Sequence, residues 1–226
     1  MPLALRAWLR YLVPLTLLAL IACGPLLYLA LHAVPVKDLA HARAQVRLPW
    51  ILASVSWIAA LWLSAAAAPL VRSIYSAEPL SQLGATWAGL RGLVRGALPI
   101  ACAVIAILLG GLAFAAPGLV LLVLLSLTGA SDSIREPLPA PLLDSIEAVR
   151  KGWLRAAITI AAIVVIALVL TYVLQRVYVP RISSKVPPSK LLPIRTFLRL
   201  VGLSLAALTP LAACVLAACY RSQRSR

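Results

Sequence analysis

The chain has 226 residues, 63% of them hydrophobic and only 12% charged, with a mean hydropathy of +1.01. This composition excludes an ordinary soluble domain, and at roughly 20 residues per crossing it allows about five or six spanning helices. Lys and Arg number 21 against 6 Asp and Glu, for a net charge of +15. The basic residues flank apolar blocks and have few aromatic neighbours in polar stretches. The charge therefore points to anionic phospholipid headgroups and to loop-charge orientation, with no nucleic-acid role.

Arg6 and Arg10 precede the first predicted span, 12–33. That run is too long for the core of a signal peptide, so the reading is an uncleaved helix. Pro14 and Pro25 are tolerable inside it because neighbouring helices can satisfy the freed carbonyls. A polar connection over 34–49 carries Lys37, Asp38, His41, Arg43 and Arg47. The second span is 50–70, where Trp50 suits an interface and Ala65 to Ala68 offer a small-residue surface for close helix contact.

Residues 83–95 place Leu83, Trp87, Leu90 and Val94 at helical spacing and predict an amphipathic helix at the headgroups. A third span at 97–115 and a short fourth at 118–131 follow. Pro137, Pro139 and Pro141 then open a polar stretch in which Asp144 and Ser145 are N-cap candidates. That stretch leads into a second interfacial helix over 143–154. The fifth span is 156–174, a basic proline-rich loop covers 176–195, and the last span is 198–220.

The number of crossings depends on how 97–128 folds. A straight helix of that length, at 1.5 Å per residue, overshoots a hydrocarbon core of about 30 Å. A structural turn at Pro117 and Gly118 divides it into two helices. Six spans with both termini cytoplasmic also place more basic residues inside than five spans do. The expected fold is thus an all-α polytopic bundle of six transmembrane helices, with five as the alternative. Its compact size and short loops fit a bacterial inner membrane.

Basic pairs four residues apart recur at span entrances: Arg6 and Arg10, Arg91 and Arg95, Lys151 and Arg155, Arg195 and Arg199. Each pair shares a helix face, with apolar residues beside it, and suits contact with lipid phosphates. A sixty-residue shift aligns Arg91 with Lys151, Gly92 with Gly152 and Arg95 with Arg155, a hint of internal repetition. Gly92-x-x-x-Gly96 has the spacing of a small-residue helix contact, but in so Ala/Gly-rich a chain it reads as chance.

Signals for chemistry are sparse. Cys23, Cys102, Cys214 and Cys219 lie in apolar blocks and form no CxxC pair, which makes them packing residues. His32 and His41, with Asp38, fall short of a metal-ligand set. No acidic or basic residue lies deep in a predicted span, no Ser/His or Ser/Lys nucleophile pattern is present, and there is no phosphate-binding loop. The expectation is therefore no catalytic residue, no metal and no cofactor. The chain reads as a non-catalytic scaffold or assembly partner whose partners are the bilayer, its anionic phospholipids, and another membrane protein or a second copy. A permease-like component using breaks at Pro99 or Pro117 is the alternative, and a lipid-handling enzyme is third.

From about Leu80 to Leu174, an apolar block, Pro117-Gly118, a second apolar block and then the run from Leu142 to Trp153 entering a span (LLDSIEAVRKGW) form one pattern. It resembles the membrane domain associated with glycerophosphodiester phosphodiesterases, which includes stand-alone six-helix bacterial proteins. The resemblance implies a six-helix membrane domain and carries over no activity, because the soluble phosphodiesterase domain is absent. The polar, proline-rich link from Thr128 to Pro141 departs from the family, which tends to continue apolar there.

Overall fold

The computed structural model describes residues 2–31, 48–178 and 192–224. His32, His41 and most of the two basic connections lie outside these, as does the side chain of Arg195. All regular structure in the described residues is helical: α1 (Pro2–Arg10), α2 (Leu12–Ala22), α3 (Gly24–Leu31), α4 (Leu48–Tyr75), α5 (Gln82–Ala113), α6 (Ala115–Leu125), α7 (Ala140–Lys151), α8 (Trp153–Tyr178) and α9 (Leu192–Arg224). Two 3₁₀ turns, Thr128–Ala130 and Asp132–Arg135, join α6 to α7.

Four stretches are long and apolar enough to cross a membrane: Ile51–Tyr75, Gln82–Ala113, Trp153–Val177 and Arg199–Arg224. The predicted first span is divided at Cys23, one residue before α3 begins with Gly24-Pro25. A proline near a helix start gives up an N–H that has no partner there in any case. Upstream, α1 is turned by 87° from α2. Its Ala4 and Ala7 are buried, while Leu5, Arg6, Leu9 and Arg10 are exposed.

The predicted interfacial helix 83–95 and third span 97–115 form one helix, α5. Ser81 caps it by accepting the Gly84 N–H at 3.1 Å, and nothing between Arg95 and Ala97 breaks the backbone ladder. The predicted turn at Pro117-Gly118 falls earlier, at Phe114, which is extended (φ −161°, ψ 149°). Pro117 lies in the first turn of α6, where its missing N–H costs nothing. Gly118 is the contact point of the hairpin: a Cβ there would stand 2.6 Å from the Gly111 Cα.

The seam between α4 and α5 brings two helix backbones into close contact. A Cβ on Gly92 would come within 2.3 Å of the Ala65 carbonyl oxygen, and one on Gly96 within 2.7 Å of the Ala65 Cβ. A Cβ on Gly89 would meet the Leu18 Cδ1 at 2.3 Å, with Ala66 at ordinary contact distance. Pro69, four residues after Ala65, has no N–H to offer that carbonyl, which is left facing the approaching α5 backbone. Gly92-x-x-x-Gly96 is thus a real helix contact and not a chance spacing, with the alanine run as its counterpart. Trp62 adds an indole N–H donated to the Leu93 carbonyl at 2.8 Å.

One end of the bundle is polar. The Tyr11 hydroxyl meets Ser73 Oγ at 2.9 Å and accepts the Leu80 N–H at 3.0 Å, while Gln82 donates to the Arg10 carbonyl at 3.1 Å. The start of α2, the α4–α5 turn, the 3₁₀ turns, α7 and the end of α9 gather there. A large apolar core including Leu15, Leu61, Leu70, Leu93 and Leu127 lies toward that end. A smaller one, around Leu26, Leu52, Phe197 and Val201, lies toward the other.

Candidate functional site

The polar end is organised around two carboxylates. In the short Ser131-Asp132-Ser133 turn, the Ser131 hydroxyl accepts the Ser133 N–H at 3.1 Å, which closes the second 3₁₀ turn. Ser131 also donates its proton to Asp144 Oδ2 at 2.6 Å. The Tyr220 hydroxyl donates to the same oxygen at 2.7 Å and accepts the Asp132 N–H at 3.0 Å. Arg224 reaches Asp144 Oδ1 at 3.3 Å and Glu147 at 3.8 Å. Asp132 pairs with Arg72 from α4 and with Arg221 from α9, the latter at 3.5 Å. Arg221 also lies over the Tyr75 ring, 5.3 Å from its centre.

Asp144 is 8% exposed, and it sits inside α7, which begins at Ala140 with Pro139 ahead of it. Neither it nor Ser145 is a helix cap: Ser145 is fully buried and donates to the Leu124 carbonyl of α6 at 2.7 Å. Burial pushes the Asp144 carboxyl up, but the bonds from Ser131, Tyr220 and the Ser133 N–H, with the charge of Arg224, outweigh it. The net result is a carboxyl held below the usual range. Glu147 is also lowered, by the Lys151 ammonium that bonds it at 2.9 Å. With its oxygens occupied by donors from three directions, Asp144 works as a knot that ties α7 and the 3₁₀ turns to α9.

The predicted lipid contacts do not converge on one place. Arg6, Arg10, Arg91, Arg95 and Arg155 are exposed and have no carboxylate partner among the described residues. Arg91 lies over the Trp87 ring at 4.9 Å. Lys151 is taken by Glu147. Arg199 is far from these, next to the smaller core, and its Nε is buried without an acceptor among the described residues. Pro117 and Gly118 belong to the hairpin at the end opposite the polar one.

Sequence reasoning reads the scarce acids, Asp132 among them, as salt-bridged or solvated beside basic residues, but it does not single out Arg72, Ser131, Tyr220, Arg221 or Arg224 as their partners. One signal was available: of six acids in the chain, Asp132, Glu136, Asp144 and Glu147 bracket a single proline-rich turn. Acids that scarce beside a membrane domain have arginines to meet. The four cysteines are unpaired, and no group of three His, Cys, Asp or Glu able to hold a metal occurs among the described residues.

Fold and site together define a helical membrane protein in which the ion pairs of the described residues gather at one end. No family model, curated protein or solved structure matches the chain, so its role has to be argued from its own residues.

Proposed function

We propose that the chain is a non-catalytic protein of the bacterial inner membrane that serves as a scaffold or assembly partner and holds anionic lipid at its cytoplasmic face. One observation carries this reading. The acids Asp132, Asp144 and Glu147 are consumed in pairs within the polar end, while Arg6, Arg10, Arg91, Arg95 and Arg155 are exposed and take no carboxylate among the described residues. Long basic stems beside apolar residues such as Leu9, Trp87 and Leu154 suit the headgroup layer.

In this reading the chain crosses six times, with α2–α3 and the short α6 completing the four long helices. The meeting of Arg10 with Gln82, and of Arg221 with Asp132, supports both chain ends on the cytoplasmic side. Excess positive charge at that end is what the positive-inside rule requires. The six-helix pattern is also what the resemblance to phosphodiesterase-associated membrane domains implies.

Two measurements test this. Reporter fusions after Arg10 and after Arg224 should both read cytoplasmic; a periplasmic signal from the second removes the six-span topology. In native mass spectrometry from mixed vesicles, the protein should retain phosphatidylglycerol over phosphatidylcholine. Replacing Arg91 and Arg95 with Gln should weaken that preference, and equal retention by the unaltered protein would sink the lipid role.

A further inference from the structure

Between α4, α8 and α9, flanked by α5 and α6 and reached by the start of α1, lies a cleft of about 720 Å³. Its wall carries no charged side chain. The polar side chains in it are largely spoken for: Ser56 and Thr209 share a hydrogen bond of 3.3 Å, and Thr209 also donates to the Leu205 carbonyl at 2.8 Å. Trp57 lines the cleft too, and its indole N–H is buried without an acceptor among the described residues. Water fills such a space poorly, because apolar voids stay dry. An empty cleft would forfeit dispersion contact along its whole wall. The volume is in the range of sites that enclose small organic ligands.

The medium around these helices offers hydrocarbon tails, and the rim of the cleft offers positive charge. Ile158 and Thr159 line it, and Arg155 stands three and four residues before them on the same face of α8, one turn nearer the polar end. Leu5 of α1 lines it as well, and Arg6 follows, exposed. We propose that this cleft seats an acyl chain of an anionic phospholipid drawn from the surrounding bilayer, with the lipid phosphate held at Arg155 and Arg6. The occupant is a structural lipid wedged between α8 and the rest of the bundle. The inference rests on the bilayer placement of these helices and is independent of the scaffold role.

The test uses the full chain reconstituted with phosphatidylglycerol that carries a photoreactive diazirine in its acyl chain, followed by peptide mapping of the adducts. Label should concentrate on cleft residues such as Ala162 and Leu208, over the outward-facing Val165 and Val169 of the same helix span. Ala162→Trp and Leu208→Trp, each filling the cleft from a different helix, should lower cleft labelling by about tenfold, with thermal melting as the check on folding. Arg155→Gln should lower it with phosphatidylglycerol but leave labelling by a phosphatidylcholine probe unchanged. Should either tryptophan variant fail to fold, the ratio of Ala162 to Val165 label in the unaltered chain decides. Label on Val165 and Val169 with none in the cleft overturns the proposal while leaving the bilayer placement intact. A helix α8 free of label altogether overturns both.

Discussion

Helices α4 and α8 make opposite use of an apolar sequence. α8 is the more hydrophobic, yet only 11% of its most apolar window is buried inside the protein, against 50% for α4. α4 carries Ser56, Ser64, Arg72 and Ser73 and the small run Ala65 to Ala68, and it is gripped by α5 and α9. α8 presents Val165, Val169, Tyr172 and Val173 outward. The contrast shows what hydrophobicity does in lipid. Hydrocarbon solvates leucine and valine as well as a protein core does, so apolarity places a helix in the bilayer but does not bring it to a neighbour. Small residues and polar pairs bring helices together, and α4 has both.

The sharpest way to break this contrast is at the α4–α5 seam. Gly92→Leu forces a side chain into the Ala65 backbone and should destabilise the protein by about 3 kcal/mol. Detergent-resistant melting followed by circular dichroism would read the loss, and an unchanged melting point would mean that the seam is not the organising contact. Next in size is the polar knot. Asp144→Ala leaves the Ser131 and Tyr220 hydroxyls without their acceptor in a mostly buried site and Arg224 with Glu147 alone, for a cost of about 2 kcal/mol. Tyr220→Phe removes the donor to Asp144 and the acceptor of the Asp132 N–H, and should cost about 1 kcal/mol.

The same knot gives a pH dependence whose sign follows from its direction. The Asp144 carboxyl is lowered in the folded protein, so its contribution is complete above the unfolded carboxylate range near 3.9 and is lost as pH falls through the lower folded value. Stability measured between pH 7 and pH 3 should therefore fall less in Asp144→Asn than in the unaltered chain. An identical pH profile for the two would remove Asp144 from the account. The smallest effect belongs to the outer face of α8, where Val169→Leu should move stability by less than about 0.5 kcal/mol. A larger loss there would reveal a protein partner, such as a second copy, on a surface assigned above to lipid.

Sequence alone determined the material of this protein: its membrane character, the positions of its long apolar segments, the basic span entrances and the small-residue run at Ala65. Each of these is a local property, readable from composition over one window. Tertiary structure alone decided that Gly92 and Gly96 dock on Ala65, that 83–95 continues into the following span, that the hairpin turns at Phe114, and that Asp132 and Asp144 meet arginines from helices far away in the chain. These are pairings between segments, and hydropathy says nothing of pairing when the solvent is as apolar as the helix. Close backbone approach and the need of a buried charge for a partner set them, and both appear only once the helices stand side by side.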